Sequence, residues 1–209
     1  MVTLEQVTSL VRNGVFVSRP DHDTSGVPIF RISAVRPMSL NLDDVRFAHG
    51  LDAVTVRKYT VREGDLLYTR YSGQPEYVGA CAVVPSGAPR ALHPDKLIRV
   101  IADQEVILSG FLELVSSTGT SLEFIRSRRR TTAGQTGIAG SDLKQVPIPL
   151  PPVAEQSRIV AEVQRLLSFV DVLAAALESS IQKSRSLRRS ILQKAFEGQL
   201  CNSLERRLA

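Results

Sequence analysis

The sequence predicts an α+β protein, a compact mixed α/β domain followed by one long C-terminal α-helix, and three features carry that expectation. Short aliphatic and β-branched segments separated by turn signals fill residues 1–149. Prolines crowd residues 147–152, and neither proline nor glycine occurs between Pro152 and Gly198. With 209 residues and 43% hydrophobic content the chain can bury one sizeable core and still leave an extended element, whereas two full domains would be tight.

Residues 4–11 read as a short helix. Residues 27–35 read as a strand that turns Arg31 outward between Phe30 and Ile32. Val54, Val56 and Val61 alternate with polar residues, Arg62-Glu63-Gly64-Asp65 supplies a turn, and a strand over 66–69 follows, so a hairpin is the simplest expectation. Residues 78–84 and 97–101 are further strands on either side of a loop at Gly87 and Pro89, and residues 106–116 and 122–130 look helical. The Gly, Ser and Thr of residues 133–143 suit a binding loop.

The prolines of 147–152 force an extended path, Pro152 fits the first turn of a helix, and Glu155 in that turn complements the helix dipole. A helix of about 45 residues from there spans about 70 Å. Ile159, Val163, Leu166, Val170, Leu173 and Leu177 follow one another at spacings of four and three, the seam of a helix packed lengthwise on another. Beyond Leu177 the phase slips through ESSIQKSRS, and Ile181, Leu187, Ile191, Ala195 and Phe196 resume an apolar face. Lys183, Arg185, Arg188, Arg189 and Lys194 favour the C-terminal end of the dipole, and Gly198 suits the stop. A domain that ends at the helix base cannot cover such a seam, so a coiled-coil dimerisation arm is expected rather than a stripe packed only on its own domain.

A formal net charge of +5 fits a polyanionic partner, although it also describes many ordinary proteins. Cys81 and Cys201 suggest neither a disulfide framework nor a metal site, so a reducing cytoplasm is expected. The N-terminal MVTLEQVTSLVRNG lacks the pattern of a secretory signal. The most apolar stretch, 160–177, is broken by Glu162, Gln164, Arg165 and Asp171, so no membrane partner is expected.

PLPPVAEQSRIV, the heptad helix after it and the closing ILQKAFEGQL together resemble the conserved region of the specificity subunits of type I restriction-modification systems. REGDLLYTRYSG over 62–73, YVGACAVVP over 77–85 and AGQTGIAGSDLKQVPIPLPP over 133–152 are similar to that family's target-recognition domain. The resemblance covers nearly the whole chain, and its helical motifs are the more specific part, because recognition domains diverge with the DNA they read. Members commonly carry two recognition domains and two conserved helices. Here there is one of each and no internal repeat, so the chain looks like a half subunit, either a short form that pairs with itself or a fragment, and Met1 directly before the domain favours the short form.

The resemblance implies a recognition domain over 1–149, a conserved helix over 150–200 for spacing, dimerisation and methyltransferase docking, and a tail over 201–209. It implies a non-catalytic subunit that reads a half-site of double-stranded DNA and positions a methyltransferase subunit and, where one is present, a restriction/translocase subunit. No cofactor is expected in this chain, S-adenosylmethionine belonging to the methyltransferase, and a homodimer through the long helix is expected.

The residues agree in outline. Arg126, Arg128, Arg129 and Arg130 form a basic stretch suited to phosphates, against the plainer reading of a solvated helix end. Tyr68, Thr69, Arg70, Tyr71 and Ser72 combine stacking and hydrogen-bonding groups at a strand end, a base reader unless the tyrosines merely pack on the core. Gln135 and Thr136 lie in a glycine-rich segment that allows close approach, although an ordinary connector has the same composition. Arg31 and Arg36 are weaker candidates. The seam residues named above would form the dimer helix, and Ile191, Leu192 and Phe196 would form the methyltransferase-docking end implied by the family.

A methyltransferase would need a glycine-rich cofactor loop and an Asn-Pro-Pro-aromatic motif, and neither occurs. An acidic-pair nuclease would have to be forced from Asp21 and Asp142-Leu143-Lys144. His22 between Asp21 and Asp23, like His49 and His93, reads as part of a solvated loop, so no metal site is expected. The alternatives left open are a helical oligomerisation or scaffold protein whose N-terminal domain binds protein and, more weakly, a stand-alone endonuclease.

Overall fold

The structure, a computed structural model, describes residues 1–132 and 134–198, so the expected tail over 201–209, and Cys201 with it, lies outside the described residues. In chain order the strands are β1 (Val2–Thr3), β2 (Thr8–Asn13), β3 (Val27–Phe30), β4 (Val35–Arg36), β5 (Ser39–Leu40), β6 (Val45–Ala48), β7 (Leu66–Thr69), β8 (Tyr71–Ser72), β9 (Cys81–Val83), β10 (Leu97–Ala102), β11 (Arg130–Thr132), β12 (Gln135–Gly137) and β13 (Pro147–Ile148). The α-helices are α1 (Ala53–Tyr59), α2 (Ser109–Ser116), α3 (Gly119–Ser127), α4 (Gly140–Lys144) and α5 (Val153–Phe196).

A four-stranded antiparallel sheet in the order β2-β10-β7-β9 organises the first unit of the chain, Met1–Val160; a second unit runs from Ala161 on. Strand alternation sends Leu66 and Tyr68 of β7, with Ile98 and Val100 of β10, into one core that includes Phe111, Leu112 and Ile125. Leu67 and Leu97 point the other way, into a second core with Phe30, Val35 and Val84. On that second face Arg99 is nearly sealed from solvent. Its Nε lies 2.7 Å from Asp65 Oδ2, and its Nη1 donates to the Thr60 carbonyl at 2.9 Å, so the buried charge is both paired and hydrogen-bonded.

Several elements differ from expectation for local reasons. Residues 54–61 form no strand, because Asp52 caps α1: its Oδ1 accepts from the amides of Val54 and Thr55 at 2.8 and 2.9 Å, and its Oδ2 accepts from Thr55 Oγ1. Consequently β7 pairs with β9 and β10 instead of with 54–61. Residues 4–11 divide into a single 3-10 turn, Leu4–Val7, and the strand β2, whose backbone completes the ladder to β10. The expected helix over 122–130 stops at Ser127, leaving Arg130 to a strand, and the expected loop over 133–143 holds β12 and α4 among its described residues.

His93 does not sit in a solvated loop. Its ring is fully buried, its Nδ1 donates to the Tyr59 carbonyl at 2.7 Å, and burial lowers its pKa from 6.5 to about 4.

Helix α5 starts where the Pro152 carbonyl accepts from the amides of Glu155 and Gln156, and it ends before Gly198, whose φ of 69° and amide bond to the Ala195 carbonyl turn the chain out of the helix. Its 44 residues span about 66 Å. Gln156 in the first turns is fully buried. Its Oε1 accepts from the Leu108 amide at 2.9 Å, and its Nε2 donates to the carbonyls of Val106 and Pro151 at 3.0 and 2.9 Å. Among the described residues no helix is long and apolar enough to cross a membrane.

Two outcomes follow from these buried groups. Replacing Gln156 with Leu leaves the Leu108 amide and the Val106 carbonyl buried without a partner, which lowers unfolding free energy by about 2–4 kcal/mol in urea titrations. Between pH 6.5 and about 4 the unfolded chain binds a proton at residue 93 that the folded chain refuses, so stability falls as pH drops through that window. The contribution is on the order of 3 kcal/mol, and unfolding titrations of His93→Asn at pH 7 and pH 4.5 should differ from each other by correspondingly less than those of the parent protein.

Candidate nucleic-acid interface

Immediately after β7 the chain leaves the central sheet and joins a second one. The amide of Arg70 donates to the Lys96 carbonyl, the Arg70 carbonyl accepts from the Ile138 amide at 3.0 Å, and β8 then pairs with β12. The resulting sheet, β11-β12-β8, sets Thr136 opposite Ser72, Gly137 opposite Tyr71 and Arg130 opposite Gly137. Two sequence-predicted contact segments some 60 residues apart thus meet in one sheet, through Tyr71–Ser72 on one side and Thr136–Gly137 on the other. Gly137 is required there, since a Cβ at that position would lie 2.3 Å from the Tyr71 ring.

Beside this sheet lies a cleft of about 350 Å³, with Arg31, Ser33 and Arg36 on one wall and Ser72, Gln74 and Tyr77 on the other. A second cleft of about 330 Å³ shares Arg31 and adds Arg46 and Lys96. The guanidinium of Arg36 stacks on the Tyr77 ring at 4.3 Å, and that of Arg70 on the Tyr71 ring at 4.7 Å. Arg31 pairs with Asp44 at 3.2 Å and stays half-exposed. Arg130, largely exposed, lies 3.7 Å from Asp142. Cations, stacked rings and amide groups thus line the two adjoining clefts and the β8 edge, an arrangement suited to phosphates and base edges.

Four of the candidate contact residues are placed otherwise than expected. Tyr68 and Thr69 are fully buried, and the Tyr68 hydroxyl is bonded to Ser116 Oγ at 2.7 Å. Strand alternation leaves them no open face, because β7 is covered on both sides. Thr136 is also buried, its hydroxyl 2.9 Å from that of Thr131. Arg129 turns inward, where its Nη2 donates to the Val78 carbonyl at 2.6 Å and to the Glu76 carbonyl at 3.4 Å, and burial, with the Arg126 charge adding to it, lowers its pKa. It clamps the 76–78 turn that carries Tyr77 into the cleft. Arg128 stacks over Phe124 at 5.0 Å and is exposed, as is Gln135. Gln74, Tyr77, Arg46 and Lys96 were not singled out from sequence; the turn signal of Gly73-Gln74-Pro75 was the one local hint.

On α5, Ile159 and Val160 pack partly against the core of the first unit, so Ile159 lies at the domain rather than in an open seam. Val163 is half-buried. Leu166, Val170, Leu173 and Leu177 are 47%, 56%, 52% and 63% exposed, and Ile191, Leu192 and Phe196 are exposed as well.

No arrangement for catalysis emerges from the acidic residues noted in the sequence. Asp21 binds His49 at 3.2 Å in an exposed loop, Asp142 faces Arg130, and Lys144 pairs with Glu5 at 2.8 Å. Among the described residues no group of three His, Cys, Asp or Glu side chains is placed to hold a metal ion.

No family model matches the chain. It is 34% identical over 200 residues to the type I restriction enzyme EcoKI specificity subunit of Escherichia coli strain K12, a match covering 95% of this chain and 42% of that protein. It is 31% identical over 150 residues to the StySPI specificity subunit of Salmonella potsdam, covering 72% of this chain and 32% of that one. A chain from a structural study of complex assembly and conformational transition of the type I R-M system superposes with a TM-score of 0.68 at 22% identity, over 95% of this chain and 45% of that chain. The architecture, a mixed α/β unit continuing into one long helix, is therefore that of type I restriction-modification chains. By sequence this chain is similar to their specificity subunits, and it spans less than half the length of the curated relatives it matches.

The inward and outward arginines should separate in unfolding titrations. Arg129→Ala abandons the buried Val78 carbonyl and costs about 1–3 kcal/mol, whereas Arg128→Ala on the exposed helix end stays within about 0.5 kcal/mol of the parent.

Proposed function

We propose that this chain is a non-catalytic DNA-recognition subunit of a type I restriction-modification complex, its residues 1–149 reading a half-site and its residues 150–200 spacing that reader from a second one. The similarity to the EcoKI specificity subunit along 95% of this chain carries the reading. The surface groups of Arg31, Arg36, Arg70, Tyr71, Ser72, Arg128, Arg130 and Gln135 support it, supplying cations for phosphates and polar groups for base edges. Chemistry belongs to partners: a methyltransferase subunit using S-adenosylmethionine, docked at Ile191, Leu192 and Phe196, and a restriction/translocase subunit where one is present. The site of action is the cytoplasm, where the DNA is.

Two copies pair antiparallel through Val163, Leu166, Val170, Leu173 and Leu177. Charge favours that orientation. From 161 to 180 the helix carries Glu162, Asp171 and Glu178 against Arg165, and from 181 to 197 it carries Lys183, Arg185, Arg188, Arg189 and Lys194 against Glu197. Antiparallel copies set acidic half on basic half, while parallel copies would stack the basic halves together. A twofold pair then places identical readers at inverted half-sites.

Co-expression with the methyltransferase subunit of the same system, followed by mapping of methylated bases, tests this. A split motif with inverted half-sites is expected, and duplex binding by the complex should weaken steeply with salt. An asymmetric motif would contradict self-pairing, and salt-insensitive or absent DNA binding would contradict recognition.

A further inference from the structure

The cleft between residues 31–36 and 72–77 carries polar side chains without a hydrogen-bond partner among the described residues, the hydroxyls of Ser33 and Tyr77 and the carboxamide of Gln74, and of these only the carboxamide offers a donor and an acceptor side by side. Arg31 is engaged by Asp44 at 3.2 Å, and Arg36 by the Val35 carbonyl at 2.8 Å and the Tyr77 ring. Ser72 Oγ accepts from the Gln74 amide at 3.0 Å. The exposed carboxamide of Gln74 has no partner among the described residues. Its backbone, by contrast, is held at both ends: the amide by Ser72, and the carbonyl by the Tyr77 amide at 3.1 Å, with Pro75 restricting the conformation between them. With the backbone fixed, only the side-chain torsions of Gln74 remain to be ordered on binding, which lowers the entropic cost of a discriminating contact.

From this geometry we infer that Gln74 is a specificity-determining residue that reads an adenine in the half-site, an assignment that rests on the DNA-recognition reading above. The carboxamide presents one acceptor and one donor side by side, complementary to the N6 donor and N7 acceptor on the major-groove edge of adenine. The opposite wall supplies Arg31 and Arg36, guanidinium groups suited to the flanking phosphates, which position the duplex without specifying its sequence. Glutamine at this place therefore selects, while the arginines around it hold.

The test maps methylation in cells that express the methyltransferase subunit with the parent chain, with Gln74→Ala or with Gln74→Arg. For Gln74→Ala the expected result is relaxation at one A·T position of the motif, with methylation of sites altered at that position rising roughly ten- to hundredfold relative to the parent, while the other positions and the spacer stay as they were. For Gln74→Arg the same position should shift toward guanine. Unfolding midpoints equal to the parent's confirm that the exposed substitutions leave the fold intact. A parental motif in both variants would overturn the assignment alone, as would a uniform loss of methylation at all sites by folded, assembled variants. An unmethylated genome with the parent chain would overturn both the assignment and the reading beneath it.

Discussion

Strand β7 has no free face, and the rest of the first unit is arranged around that constraint. Leu66 and Tyr68 are committed to one core, Leu67 to the other, and β9 and β10 flank the strand on both edges. A strand packed in this way cannot slip by one residue without exchanging the contents of two cores. The position at which the chain emerges, Arg70, is set by that packing, and two backbone bonds, to Lys96 and from Ile138, pass the constraint on to β8 and β12. The cleft residues Ser72 and Gln74 thus follow within a few residues of a strand that is buried on both faces and paired on both edges, although they lie at the surface.

The arginines divide by the same logic. Arg99 and Arg129 reach inward to carbonyls that no ladder bond satisfies, those of Thr60 and Val78, and there a fork of several donors meets the obligation of backbone away from solvent to be paired. Arg31, Arg36 and Arg130 remain outside with modest partners. The net positive charge is therefore not one undifferentiated patch: part of it holds turns in place, and part stays exposed at the surface.

Helix α5 relies on a different balance. Near its start Gln156 meets every demand of its buried carboxamide, and Ile159 and Val160 pack on the core. From Leu166 on, large apolar side chains recur with solvent exposure near or above one half. Such a stripe is stable in water only when another surface covers it, because a long helix draws most of its stability from packing. The acidic-then-basic polarity of the helix makes an inverted copy of itself a suitable cover.

What the sequence determined by itself was whatever depends on neighbours along the chain. Helix α5 was legible because Pro152, Gly198 and the spacing of four and three are local signals, and β7 and β10 were legible because short, mostly apolar runs bounded by turns leave few alternatives. Helix α1 was missed because alternating valines mimic a strand, and only the cap at Asp52, itself readable, outweighed them. The site was legible as two segments and illegible as a surface. Side-chain direction in a strand depends on what covers each face, so only the tertiary structure could turn Tyr68, Thr69, Thr136 and Arg129 inward. It alone brought Ser72 beside Thr136, and it made Gln74, a turn residue without any periodic signature, face Arg31 and Arg36 across a cleft whose walls lie some 40 residues apart in the chain.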